Sequence, residues 1–239
     1  MTAGEVMALA VFDSGEELAE AAADAVLEIG RASHRERGCF RVGLSGGRTP
    51  RELYARLAAP PRRQVLRACR PVIVFADERA VPPDHPDSNY AMVRAALLDP
   101  AGIQASCVHR MRGETQPLAA AAVEYESAVR EPLDLLILGV GPDGHTASIF
   151  PHSAAAAETD RRVVAVTDSP KPPPRRLTVT PVVIAEARSI FVLATGADKA
   201  PAIRRALDPD TAVLEIPARL LRERQWFVDR AASGRGVAA

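Results

Sequence analysis

The residues of this 239-residue chain best suited to chemistry sit in a few short loops, each directly after a run of apolar side chains. One loop, Gly139-Val140-Gly141-Pro142-Asp143-Gly144-His145-Thr146-Ala147-Ser148, follows the apolar segment Leu133–Val140. A histidine just past loop glycines at a strand's end is well placed for acid–base work near neutral pH. A second loop opens Asp77-Glu78-Arg79-Ala80-Val81-Pro82 and runs to Ser88-Asn89. Its Arg79 can hold a carboxylate, a phosphate or a developing oxyanion through fork-shaped hydrogen bonding. A third, Ser45-Gly46-Gly47-Arg48-Thr49-Pro50, joins a strand to a helix. Its glycines let the backbone approach a ligand, the helix start offers N–H groups to an anion, and Ser45, Arg48 and Thr49 add hydroxyls and charge.

Two other readings compete for these loops. Gly43-Leu44-Ser45-Gly46-Gly47 matches the G-x-S-x-G pattern of a nucleophilic serine. In that arrangement the helix begins right after the serine, whereas here the helix start is expected at Thr49, with Pro50 at its first position and Glu52 three residues past the cap. Gly139-x-Gly-x-x-Gly144 matches a dinucleotide fingerprint. Pro151, however, stops any helix opened at His145 after roughly two turns, too few for the crossover helix such a site needs.

Lysine is scarce, with only Lys171 and Lys199 against an abundance of arginine. Lys199, after Gly196, falls in the first turn of an expected helix, where a cation opposes the helix dipole; that cost points to an anionic ligand. Lys171 lies in the proline-rich stretch Ser169–Pro174, which must be an extended loop because prolines cannot donate backbone hydrogen bonds. His34, His85 and His109 have no partners at metal-ligand spacing, so no metal is expected. His152, beside Pro151, reads as a surface residue.

The elements that must position these loops follow from hydrophobic periodicity. Strands are expected over Val6–Phe12, Arg41–Leu44, Pro71–Ala76, Cys107–Arg110, Leu133–Val140, Val163–Thr167, Ile190–Ala194 and Trp226–Asp229. Helices are expected from Ser14, capped with Glu17, to about Ala32, and over Ser88–Leu98, Pro117–Arg130 and Asp198–Leu207. A strand end and a helix share Thr178–Arg188. The alternation describes an α/β fold with an open, mostly parallel sheet flanked by helices, in a single domain over residues 1–239. Ligands bind such sheets beyond the carboxyl ends of the strands, where the charged loops lie.

Thirty basic and thirty acidic side chains balance, so no global field draws the chain to nucleic acid or to a membrane surface. Three scattered cysteines argue for reduced thiols, and the chain start shows neither signal peptide nor bilayer-length apolar run. A cytoplasmic location is the expectation, as a monomer or small homo-oligomer.

Five motifs taken in order resemble the 6-phosphogluconolactonase family: Ser45-Gly-Gly-Arg-Thr-Pro50; Asp77-Glu-Arg79 with Ser88-Asn89; Gly139-x-Gly-x-Asp-Gly-His-Thr-Ala-Ser148; Arg176-x-Thr-x-Thr180; and Gly196-x-x-Lys-Ala200. The resemblance implies the fold shared with glucosamine-6-phosphate deaminases, a sugar-phosphate lactone as substrate, and no cofactor. Those deaminases carry a glutamate five residues after the loop histidine and usually Asn where this chain has Asp143; here the first position is Phe150. On this reading phosphate is held by Ser45, Gly46, Gly47, Arg48, Thr49 and Lys199, with Arg176 as helper. His145 is the general base, Arg79 stabilises the oxyanion, and Asp143 or Asp77 orients the histidine. A non-catalytic sugar-phosphate sensor on the same scaffold is the alternative of another class, though no DNA-binding appendage or basic stripe accompanies the domain.

Overall fold

The computed structural model describes residues 8–234. Its strands are β1 (Ala8–Phe12), β2 (Phe40–Leu44), β3 (Pro71–Phe75), β4 (Asp77–Arg79), β5 (Val108–His109), β6 (Leu135–Gly139), β7 (Val163–Val166), β8 (Arg176–Val179), β9 (Ile190–Ala194) and β10 (Gln225–Asp229). Seven form a sheet in the order β1-β10-β9-β6-β2-β3-β5, with every pairing parallel. The other three form a small antiparallel sheet in the order β4-β8-β7. The open, mostly parallel sheet expected from the alternation is therefore present. Val6 and Met7 of the first expected strand lie outside the described residues.

A parallel sheet must be covered on both faces, and the strand sequences reflect it. Leu135, Leu136, Ile137 and Leu138 of β6 are all fully buried, as are Val192 of β9 and Trp226 and Val228 of β10. The Trp226 indole N–H donates to the Leu221 carbonyl at 2.9 Å, satisfying its one polar atom in the core. Helix α1 (Gly15–Arg37) turns Leu18, Ala22, Ala23, Val26 and Leu27 inward at helical spacing. Ser14 caps it by accepting from the Glu17 amide, while Glu17 accepts from the Asp13 amide. It runs past Ala32 to Arg37 and ends where Gly38 takes a left-handed conformation.

Several elements differ from their sequence reading. Helix α2 (Arg48–Ala58) starts two residues early: Gly47, at φ 111°, is its N-cap, and no side chain caps it. Thr49 is not the cap, because its hydroxyl pairs with that of Thr195 at 2.8 Å. Helix α3 (Arg62–Ala68) was not expected from the sequence. The helix after Ser88 is α4 (Asn89–Val93), continued by a π-helical turn over Arg94–Leu98 and a last turn, α5 (Asp99–Ala101). Helix α6 (Leu118–Tyr125) tightens into a 3-10 turn over Glu126–Val129. Thr180 caps α7 (Pro181–Glu186), and α8 (Ala200–Leu207) follows a 3-10 turn, Ala197–Lys199. No helix opens at His145. Asp77–Arg79, read as loop, is a strand: its three residues pair with Arg176–Thr178.

These features place one edge of the large sheet at the centre of interest. Strand order runs outward in opposite directions from the β6–β2 pair, and a cleft opens at such a switch point. No helix among the described residues is long and apolar enough to cross a membrane.

Candidate active site

A cavity of about 710 Å³ sits beyond the carboxyl ends of β2, β3, β6, β9 and β10. That volume suits a small-molecule ligand. Its wall includes the predicted site residues Ser45, Gly46, Gly47, Arg48, Thr49, Asp77, Arg79, His145, Arg176 and Lys199; Asp143 is not on the wall but touches it through His145. Five segments far apart in sequence thus meet on one hollow.

The loop after β6 is folded tightly upon itself. The Gly141 amide donates to the His145 carbonyl at 2.8 Å, Gly144 donates to Gly141, and the Thr146 hydroxyl donates to the Gly139 carbonyl. The His145 ring folds back over Gly141, where a Cβ would fall 2.0 Å from Nδ1, so only glycine fits there. His145 Nδ1 lies 2.5 Å from Asp143 Oδ1, and the ring packs on buried Phe150 with centroids 4.7 Å apart. Burial by itself would raise the Asp143 carboxyl. Hydrogen bonds and charge from His145 and Lys171 outweigh it and hold the group well below the usual carboxylate range. An ionised carboxylate only accepts, so in this contact the ring donates through its Nδ1–H.

Asp77 serves a different neighbour. Its carboxylate accepts from the Ser148 hydroxyl at 2.6 Å and from Asn89 Nδ2 at 3.0 Å, tying β4 to the histidine loop and to α4. Of the two aspartates considered for orienting His145, Asp143 is the one in contact. Glu78 is buried and takes four donors: the amides of Arg79, Asn89 and Tyr90 and the Ser88 hydroxyl. Burial pushes its carboxyl above the usual range, while these hydrogen bonds favour the ionised form.

Arg79 and Arg176 stand opposite each other across the β4–β8 ladder, both on the cavity wall. Like charges directly opposed in a sheet repel, a cost that an anionic ligand relieves. Arg79 donates Nη1 to the Asp87 carbonyl at 2.6 Å, while its Nε is buried without a partner. Arg176 is buried; its Nε donates to the Pro173 carbonyl and its Nη2 to the carbonyls of Lys171 and Pro172. Burial holds its guanidinium below the ordinary arginine range.

At the other rim, the Tyr54 hydroxyl clamps Ser45, accepting from its amide at 3.1 Å and donating to its carbonyl at 2.9 Å. Ser45 Oγ is buried with no hydrogen-bond partner, so no base is positioned to activate it as a nucleophile. The uncapped start of α2 opens on this rim. Lys199 faces it from the turn after β9, with Nζ 3.1 Å from Asp198. Asp229 at the end of β10 accepts the Gly196 amide on both oxygens at 3.1 Å, fixing that turn.

Sequence reasoning missed Lys171 as a site residue. Its ammonium lies 3.0 Å from Asp143 Oδ1 and 3.3 Å from His145 Nδ1. Its rarity was the only signal, since nothing local links residue 171 to residue 145. Among the described residues no group of three or more His, Cys, Asp or Glu side chains is arranged to hold a metal ion.

Fold and site together define an α/β protein with a cation-lined small-molecule cleft at a sheet switch point. The family model described as glucosamine-6-phosphate isomerases/6-phosphogluconolactonase matches residues 13–229, and the chain belongs to that family. A 6-phosphogluconolactonase of Homo sapiens is 38% identical, with 94% of this chain and 92% of the human protein covered. A solved 6-phosphogluconolactonase from Trypanosoma cruzi superposes with a TM-score of 0.85 at 30% identity, covering 99% of each chain. A monomeric glucosamine-6-phosphate deaminase shares the fold, with a TM-score of 0.81 at 23% identity over 96% of this chain and all of that one.

Proposed function

We propose that this chain hydrolyses 6-phospho-D-glucono-1,5-lactone to 6-phospho-D-gluconate, the lactone-opening step of the oxidative pentose phosphate pathway, as a single cytoplasmic domain. The observation that carries the reading is the Asp143–His145 pair, set in one cavity with Arg79 and with the cationic, hydroxyl-rich rim around α2. A lactone phosphate needs those parts and little else.

The phosphate is held by the backbone at the start of α2, by Ser45, Arg48 and Thr49, and by Lys199. His145 Nε2 takes a proton from water as the water oxygen bonds to the lactone C1 carbonyl. The negative charge that develops on the carbonyl oxygen is stabilised by Arg79, a contribution of roughly 3–4 kcal/mol where single donors of this kind have been removed. As the C1–ring oxygen bond breaks, imidazolium returns the proton to the departing ring oxygen, and the product carboxylic acid ionises in water. No covalent intermediate is needed, in keeping with the unpartnered Ser45 hydroxyl. Deamination of an amino sugar phosphate calls for further acid–base groups, and the position that would supply one is the buried, apolar Phe150.

Replacing His145 with alanine tests the assignment. The variant should lose ~10²–10⁴ in kcat, the usual contribution of one acid–base group, while binding the product 6-phosphogluconate almost as well as the native protein. Near-native turnover in a folded variant would remove His145 as the base.

A further inference from the structure

Lys171 plays no part in the proposed reaction, yet it touches both members of the Asp143–His145 pair. We infer that Lys171 is a positioning residue: its ammonium fixes the Asp143 carboxylate and keeps the His145 imidazole neutral, so that Nε2 stays available as a base. This rests on the proposed role of His145.

The geometry carries the inference. Lys171 Nζ and His145 Nδ1 both point at Asp143 Oδ1, at 3.0 and 2.5 Å. Nζ is also 3.3 Å from Nδ1 itself. With Nδ1 protonated this last approach sets donor against donor, so it is a repulsive contact. A second positive charge on the ring would strengthen that repulsion at close range in a partly buried setting. An aspartate alone against a histidine favours the protonated ring; a lysine sharing the same oxygen works against that preference.

The backbone delivers this lysine with little freedom. Residues 169–175 form a strap containing Pro170, Pro172, Pro173 and Pro174, whose rings restrict it before it docks. The Ser169 hydroxyl donates to the Lys171 carbonyl and accepts from the Lys171 amide, at 2.9 and 3.2 Å. The Ser169 amide closes the strap onto the Pro174 carbonyl. Arg176 grips three successive carbonyls, those of Lys171, Pro172 and Pro173. Arg176 thereby acts through the strap, beyond any hand it lends to phosphate. The other charges around the imidazole are Arg176 beneath Phe150, Arg79 and Asp77 from β4, and Lys199 with Asp198 across the cavity. All of them remain when Lys171 alone is changed.

The test compares the native enzyme with Lys171→Met, Lys171→Gln and Lys171→Arg in two measurements. The first is a 15N NMR titration of the His145 ring in substrate-free protein. The second is kcat and KM for the phosphorylated lactone against pH. Both neutral variants should move the ring titration to higher pH. Their kcat should fall about ten-fold near pH 6 and less than about two-fold near pH 8.5, with KM within about two-fold of native, the scale expected on removing one charge at this distance. Lys171→Arg should restore most of both. An unmoved ring titration in both neutral variants overturns the inference. So does a rise in KM with an unchanged pH profile, which would place Lys171 on the substrate. A ring titration that moves while kcat ignores it at every pH would instead refute His145 as the base.

Discussion

At the scale of single residues, the site separates groups that meet the substrate from groups that hold them. In the proposed reaction Lys199 belongs to the first kind. Lys199→Ala should chiefly raise KM for the phosphorylated lactone and change KM for unphosphorylated gluconolactone much less; equal losses on both would mean that Lys199 does not contact phosphate. Asp143 belongs to the second kind, and its charge has a consequence for stability. Its carboxyl is held below the usual range in the folded chain, so it contributes stability above the unfolded value of about 4. That contribution is lost as pH falls through the lowered, folded value. The difference in Tm between native protein and Asp143→Asn should therefore shrink as pH falls below about 4. A difference that kept growing below about pH 4 would contradict the assignment. Most wall residues were legible in the sequence because charge at a strand's carboxyl end is a local signal. The choice between Asp143 and Asp77 was not, since it depends on Ser148 and Asn89 reaching Asp77 first. Lys171 was illegible for the same reason: 26 residues separate it from the ring it touches.

At the scale of elements, the strongly apolar strands were readable and the short polar ones were not. Leu135–Gly139 announces itself by continuous burial, whereas Asp77–Arg79 carries three charges and becomes a strand only because β8 arrives to pair with it. The start of α2 misled for a physical reason. A threonine followed by proline and glutamate reads as a cap, but Thr195 captures that hydroxyl from across the cavity. The helix is left uncapped where an anion is needed. Phe150 shows how the histidine loop is supported from below: it is buried against the His145 ring, with the Arg176 guanidinium 5.4 Å from its centroid. Phe150→Glu should therefore lose lactone hydrolysis and thermal stability together, and release no more than a trace of ammonia from glucosamine-6-phosphate. A carboxylate there is desolvated and cannot simply restore deaminase chemistry. Robust ammonia release by a stable Phe150→Glu protein would show that this one position decides between the two reactions.

At the scale of the whole molecule, a charge-balanced chain has built one hollow whose wall carries more cations than carboxylates. Net charge zero leaves no long-range field for polyanions, while Arg79, Arg176, Lys171 and Lys199 converge on a single cavity. Lys171 and Lys199 have carboxylate partners in Asp143 and Asp198, whereas Arg79 and Arg176 oppose each other across the β4–β8 ladder, and the proposed phosphorylated substrate suits that excess of positive charge. The parallel sheet makes the convergence possible by bringing the ends of β2, β3, β6 and β9 to one edge. The measurement that tests this account most directly is the rate at which purified protein opens freshly made 6-phosphoglucono-1,5-lactone near neutral pH, with the spontaneous rate subtracted. Turnover far above the spontaneous rate, saturating with substrate and much slower on unphosphorylated gluconolactone, is the expected result. A rate no greater than spontaneous opening, from protein that is folded and binds 6-phosphogluconate, would contradict the account and leave a binding protein in its place.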